Sequence, residues 1–567
     1  MKNRRSKIFV RRILLCSLLS LIGTWSINFD GADKSAAAKL GSPTNNRVSE
    51  TLGANAFDFP DSPSNGYAGF SVSDSAIVSH HPSVLRQIED GFREAPLCSA
   101  LNDEICAGRR AWFYAVLPVC RTAAEIGCIE SVSSRTKSGK VDEGKYSQYF
   151  PTANTGTFQG DANSGVPEGS LPSVWRLDQT PHQGGLDYLV IAAISGYSPA
   201  SRRTLEDDLS LRVALFPVAF LKGFFGPRSP TAIGNSVEFI GESQSNCVSA
   251  DDGMCASRQE FPADTRFSVA LRLLPSNVPA AWFHGRLEEP VVNFASAGSS
   301  TRIVVEAAPV EVPSVGVWKP LDALPDAVRD SYEKWHICCT YLRRACSADS
   351  ECLPLMKSGD EAITDLVNWR KVYDDQSTWT RSTWSFGSDQ RLVNRPDTIA
   401  CMKEKGILYG LITTNAAGYS GGPPTFSSNS KVFTYEVASP HFDTKGEENR
   451  GRYSLVLRSQ TAQCLYGSTK GTISATVSVT DSATGKTSVA VSTVSNDGTW
   501  LTLNASGFTY SSQKIEVSLS APATIPVKKS VTVSPRNALR TVTCVKGTRR
   551  IRVTGRAPSC PKGFIRQ

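Results

Sequence analysis

The sequence predicts a mainly β protein: two β-sandwich-like domains with a small Cys- and Trp-bearing helical insertion between them and a C-terminal basic hairpin. Three observations carry that prediction. Apolar and polar residues alternate over short runs, the period of a strand with one buried face. Phe267, Val269, Leu271 and Leu273 interleave with Arg266, Ser268, Ala270 and Arg272, and Ile473, Ala475, Val477 and Val479 with Ser and Thr. Turn residues separate such runs at roughly ten-residue spacing, as in sandwiches. Most of the cysteines fall into closely spaced pairs that short loops can close.

Taken in order, residues 1–38 read as a signal peptide. The basic stretch with Lys2, Arg4, Arg5, Lys7, Arg11 and Arg12 precedes an apolar core from Ile13 to Gly23, too short to span a bilayer comfortably. Ala36-Ala37-Ala38 has the small-residue form of a cleavage site, and a cut near Ser26 is the other choice. No later stretch reaches eighteen uncharged apolar residues, so no second span is expected. Residues 39–82 are rich in Ser, Asn, Pro and Gly and predict a flexible leader. Residues 83–320 predict a β-rich domain with short disulfide loops, in which only Ser83 to Arg93 and Thr204 to Asp208 have helical texture. Residues 321–401 predict the helical insertion. Leu324-Pro325-Asp326 has the proline and acid of a first helical turn, and DEAITDLVNWRKVYDD continues in helical style. Residues 402–521 predict the second sandwich-like domain, residues 522–539 a proline-bearing linker, and residues 540–567 the hairpin around the turn glycine Gly547.

Fifteen cysteines become fourteen once Cys16 leaves with the signal, an even number for an oxidising compartment. Cys98–Cys106, Cys120–Cys128 and Cys247–Cys255 each enclose seven residues; Cys346–Cys352 and Cys544–Cys560 are further local pairs. Cys338, Cys339, Cys401 and Cys464 remain for two long-range bonds of undetermined pairing. Thiolate zinc sites bring C-x2–4-C knuckles, and the chain has no C-x-x-C, so metal is not expected.

The net charge of +8 is unevenly placed. The first twelve residues carry +6, and the last twenty-eight carry +8 with no acid, which leaves −6 for everything between. A basic body would point to nucleic acid, and this body is not basic. The tail cations, Arg549, Arg550, Arg552 and Arg556 foremost, are candidates to contact a polyanion through charge and counterion release. For an exported protein that partner is an anionic cell-wall polymer or surface glycan, with no specific nucleic acid.

The tail TVTCVKGTRRIRVTGRAPSCPKGF resembles a C-terminal module of secreted or cell-surface proteins of actinobacteria, of the form T-C-V-K-G, basic strand, C-P-x-G-aromatic. VCRTAAEIGCIESV, AWFHGRLEEP, YSLVLRSQTAQCLYG and WLTLNASGFTYSS resemble parts of an uncharacterised β-rich family that carries this tail. The resemblance covers both β regions and the tail and fits the helical insertion poorly. It implies an exported, extracellular or envelope-associated β protein and assigns no reaction or catalytic residue.

Other motifs have plainer readings. Gly418-Tyr419-Ser420-Gly421-Gly422 matches G-x-S-x-G, so a secreted hydrolase using Ser420 is one alternative function. Pro423-Pro424 and a Ser/Asn-rich loop follow where an esterase elbow needs a helix, and the ordinary reading is a glycine-rich turn. Trp369, Trp379 and Trp384 with Tyr373 are a second alternative, an aromatic platform for glycans, although large aromatics are more often core. His80, His81, His182, His284, His336 and His441 form no metal-binding spacing. His284 with Glu288 and Glu289 could hold a cation only on a helix, against which Gly285 and Pro290 argue. No cofactor motif is found. The leading expectation is a non-catalytic protein with a binding, adhesive or structural role.

Overall fold

The alternating run at 265–273 lies at the centre of a five-stranded antiparallel sheet. Its order is Glu288–Ala297, Ser300–Ala308, Thr265–Leu273, Cys128–Thr136 and Val141–Glu143. Val269 stands opposite Val305 on one side and Val132 on the other, and Leu271 opposite Ile303. Phe267, Val269, Leu271 and Leu273 are fully buried, so one face of the strand is core and the other carries its polar residues. The computed structural model describes residues 67–72, 83–88, 96–152, 156–198, 209–222, 247–251, 254–279, 281–335, 355–357, 359–388, 400–402, 407–420, 423–466, 474–481, 487–510, 513–520, 540–547, 549–555 and 559–566. Strands dominate these residues, and the fold is mainly β.

A ten-strand spine runs beside that sheet. In hydrogen-bonded order it is Val84–Gln87, Ala111–Val116, Asp187–Tyr197, Ser210–Lys222, Trp379–Ser388, Ala281–Arg286, Leu408–Thr414, Arg450–Arg458, Trp500–Thr509 and Val491–Asn496. Every pairing is antiparallel except Ala281–Arg286 with Leu408–Thr414. At that parallel pair Trp282 lies over Gly410, where a Cβ would come within 2.4 Å of the ring. Gly451 likewise leaves room for the Phe508 ring. Glycine at both positions lets a large aromatic lie flat on the sheet.

The five-stranded sheet covers one face of the spine, and Val269 and Val305 share a core with Phe113, Ile194, Leu215, Leu411 and Val456. A second antiparallel sheet contains Val432–Ala438, Gln513–Ser520 and Ser474–Asp481. Its Phe433, Tyr435 and Val517 pack with Leu455, Leu457, Leu501 and Leu503. Val456 belongs to the first core and its neighbours Leu455 and Leu457 to the second. The strand Arg450–Arg458 is therefore covered on both faces, which explains five successive buried residues from Tyr453 to Leu457.

A third core gathers Phe70, Val72 and Val315 with the helix Gly359–Trp369. Phe70 stacks on Trp369 at 4.9 Å with planes 14° apart. A second helix, Asp326–Trp335, begins where the proline and acid place it, and Val328 N–H donates to the Pro325 carbonyl.

Three expectations are corrected. The leader 39–82 includes a strand, Tyr67–Val72, which pairs with Val310–Pro320 and Leu355–Lys357. Within Ser83 to Arg93, Val84–Gln87 is a strand with all four residues buried; Ala111–Val116 pairs with one edge, and the segment 96–98 bonds the other. Trp379–Ser388, placed by sequence in the helical insertion, is a strand joining Ser210–Lys222 to Ala281–Arg286, so the spine's hydrogen bonds cross the expected boundaries at 320 and 401. The signal peptide, Thr204 to Asp208 and the linker 522–539 lie outside the described residues.

Candidate functional site

The C-terminal hairpin pairs Arg540–Lys546 with Arg549–Gly555, and Ile565–Arg566 returns to the other side of the first strand. Val542 opposes Val553 and Cys544 opposes Ile551; Val542 and Cys544 are buried. In register, Arg552 lies opposite Thr543 and Arg550 opposite Val545, on the alternate positions. Gly547 makes the turn at φ +56°, a conformation that glycine adopts without strain. The Cys544–Cys560 disulfide ties the last turn to the central strand. Lys546, Arg550, Lys562 and Arg566 are exposed, and no described carboxylate pairs with them. The side chains of Arg549, Arg552 and Arg556 lie outside the description. The module is a small disulfide-braced sheet with exposed cations on its described residues.

The disulfides place the remaining cysteines. Cys98–Cys106 and Cys120–Cys128 close the local loops as expected. Cys401 bonds Cys464 across 63 residues, which resolves one long-range pair and ties the turn Ala400–Met402 to the helix Ser459–Tyr466. Cys255 is disulfide-bonded, and Cys247 lies on the adjacent strand of the same hairpin. Cys338, Cys339, Cys346 and Cys352 lie outside the described residues.

Cys98, Asp103 and Cys106 place three potential metal-ligand atoms within 4.8 Å of one another. The two sulfurs are bonded to each other, so the group offers no thiolates. The Asp103 carboxylate accepts from the Ser99, Ala100, Ile105 and Cys106 N–H groups. Desolvation acts upward on this carboxyl, but those backbone donors outweigh it and hold the group below its ordinary value. The aspartate is a loop cap.

Ser420 is also structural in its contacts. Its N–H and Oγ–H donate to the Glu436 carbonyl at 2.8 and 3.2 Å, and Glu436 N–H donates back to Oγ at 3.1 Å. The next element is the strand Thr425–Ser427, not a helix. Among the described residues no histidine bonds to Ser420. A strand clamp thus occupies the G-x-S-x-G motif. The tryptophan platform is corrected as well: Trp369, Trp379, Trp384 and Tyr373 are all buried. Trp384 donates to the Ala307 carbonyl at 3.1 Å, and Tyr373 donates to the Leu366 carbonyl at 2.8 Å. These rings offer no open stacking face.

His284 does not sit on a helix but on the strand Ala281–Arg286, its ring 5.7 Å from that of Tyr419. Glu288 is paired with Arg452, and Glu289 turns the chain at φ 48° with its carbonyl accepting from Arg266. The strand therefore removes the helical condition on which a cation site at these three residues depended. The segment instead contains a buried cation that sequence reasoning missed. Arg286 is only 1% exposed and donates to the carbonyls of Thr414, Ala416 and Ala417, with its guanidinium 4.5 Å over the Tyr419 ring. An arginine in a strand reads as outward-facing. The irregular backbone after Leu408–Thr414, whose carbonyls need donors, explains its burial.

Leu408–Thr414 lies between Ala281–Arg286 and Arg450–Arg458, and Trp500–Thr509 pairs with the far side of the latter. Compared with known proteins, the chain matches no protein-family model and no curated protein.

Proposed function

We propose that this is an exported, envelope-associated, non-catalytic β protein that attaches through its C-terminal hairpin to an anionic cell-wall polymer or surface glycan. The body serves a binding, adhesive or structural role. The observation that carries this reading is the tail itself: a disulfide-braced three-stranded sheet with eight cations and no acid in its 28 residues, attached to a body of net −6. Coulomb attraction and counterion release favour repeated anions over a single small ligand. The basic, apolar N-terminal stretch and the disulfides support export into an oxidising compartment. The resemblance to actinobacterial surface proteins supports the same reading. Among the described residues no helix is long and apolar enough to cross a membrane.

The test is sedimentation of purified mature protein with isolated cell walls, with and without residues 540–567. The full chain is expected in the pellet at low salt and in the supernatant at high salt, and the truncated chain in the supernatant throughout. Equal retention of the two forms overturns the role of the tail.

A further inference from the structure

The outer face of the five-stranded sheet carries a second arrangement of arginines, independent of the tail. Arg266 stands opposite Arg135, and Arg272 opposite Arg302, on adjacent strands. Like charges directly opposed on a sheet destabilise it unless something intervenes. At each place one glutamate from the third strand intervenes. Glu306 is 3.2 Å from both Arg135 and Arg266. Glu130, the extra residue of a bulge in Cys128–Thr136, is 3.1 Å from Arg272 and 2.6 Å from Arg302. Each cluster therefore keeps a net charge of +1 on a body whose overall charge is negative.

The two arginines of each cluster play different parts. Arg272 is 14% exposed, and its guanidinium also donates to the carbonyls of Thr122, Ala123 and Glu125, so its donors are spent on the fold. Arg266 also donates to the Glu289 and Glu306 carbonyls. Arg135 and Arg302 are 46% and 44% exposed, and Nη1 of the first and both terminal nitrogens of the second donate to no described protein group. Between the clusters the face presents half-exposed Ser133 and Ser268, directly opposed, and Ser131 opposite Ala270, which in turn faces Val304; the exposed Glu143 stands beside Ser133 at the sheet edge. The pattern is a guanidinium at each end with serine hydroxyls and two small apolar side chains between, on an antiparallel surface with one carboxylate, Glu143, at its edge.

We infer that this face binds an extended anionic polysaccharide, with Arg135 and Arg302 each forking an acidic group and the serines meeting sugar hydroxyls. Planar guanidinium forks suit carboxylate and phosphate oxygens. The two arginines lie six residues apart along the strands and two strands apart, about 20 Å by about 10 Å. A monosaccharide cannot reach both, whereas a chain of several sugars can.

Binding of mature full-length protein to polygalacturonate, to monomeric galacturonate and to neutral dextran tests this. With the tail intact, Arg135→Ala/Arg302→Ala is expected to weaken polygalacturonate binding about tenfold, with no measurable dextran binding in either form. The monomer is expected to bind weakly and equally to both. Unchanged polymer affinity in the double variant overturns the inference, whereas an effect of tail deletion alone bears only on the tail. Glu130→Gln and Glu306→Gln supply an opposite sign. Removing a competing carboxylate is expected to strengthen polymer binding severalfold. If the pairs exist only to hold the sheet together, these variants lose stability and gain no affinity, which also overturns it.

Discussion

The five-stranded sheet and the C-terminal hairpin both set arginines on antiparallel strands, and they treat them oppositely. In the sheet, register delivers Glu306 and Glu130 to the points where Arg135 meets Arg266 and Arg272 meets Arg302. In the hairpin, Arg550 and Lys546 stand at the turn end of the sheet with no acid in the module. The sheet spends its cations on cohesion, with a small remainder. The hairpin has no acid of its own to pair them with and relies on covalent bracing. Charge count alone does not distinguish the two; the availability of a carboxylate across the next strand does.

That contrast is most easily broken at the covalent brace. Three short strands with a core built on Val542 and Cys544 bury too little apolar surface to persist alone. Removing Cys544–Cys560 as a serine pair costs ~2–4 kcal/mol. Limited proteolysis is expected to cleave residues 540–566 at once while the body keeps its native melting transition. A tail that stays resistant would mean that packing, not the disulfide, holds it.

The next effect lies in the sheet. Arg272→Ala removes the donor to three loop carbonyls and one of the two arginines paired with Glu130, which keeps Arg302, so a loss of ~2–3 kcal/mol is expected in urea unfolding. Arg302→Ala, at 44% exposure, is expected to cost below ~1 kcal/mol. Equal losses would erase the distinction between a structural and an available arginine. Salt then separates the regions. Wall retention by the hairpin is expected to fall about tenfold or more between 50 and 200 mM salt, while the unfolding midpoint of the body hardly moves. Retention that ignores salt would place the attachment elsewhere.

Parts of this were legible in the sequence because they obey one period. Thr265–Leu273 alternates because one face is core and the other is wet, and the helix Gly359–Trp369 shows its own spacing. Trp379–Ser388 was not legible, because its last six residues are buried on both faces and leave no alternation. Val84–Gln87 contains Arg86 and Gln87, polar residues that read as the wet side of a helix yet are buried, with Ala111–Val116 on one edge and the segment 96–98 on the other. Tyr67–Val72 is short, and its Gly and Ser match the loose composition around it. At the candidate sites, the hairpin and its disulfide are local and could be read directly. The Glu130 and Glu306 clusters each join a residue of Cys128–Thr136 to partners more than 130 positions away and depend on register and, at Glu130, a bulge, which no local pattern encodes.

The smallest expected effect concerns pH. Arginine and lysine stay charged between pH 5 and 8, so the protein side of hairpin attachment should be flat there. The body has a histidine that should respond. His182 packs edge-on to Tyr188, accepts the Gly184 N–H at Nδ1 and donates from Nε2 to the Asp187 carbonyl. Both nitrogens are thus satisfied only in the neutral ring. Desolvation lowers its pKa from the usual 6.5, against smaller upward effects of the Asp187 carbonyl and carboxylate. A proton on Nδ1 would face the Gly184 N–H and lose that bond. Because the folded value lies below the unfolded one, the unfolded chain binds the proton first as pH falls. The body should therefore hold its full share of this stability above pH 6.5 and lose it progressively below, toward the depressed folded value. His182→Gln should flatten that part of the profile in urea melts at successive pH values. A slope unchanged by the substitution would assign the acid sensitivity to other groups, and a rise in stability below pH 6.5 would mean that the ring is already charged in the fold.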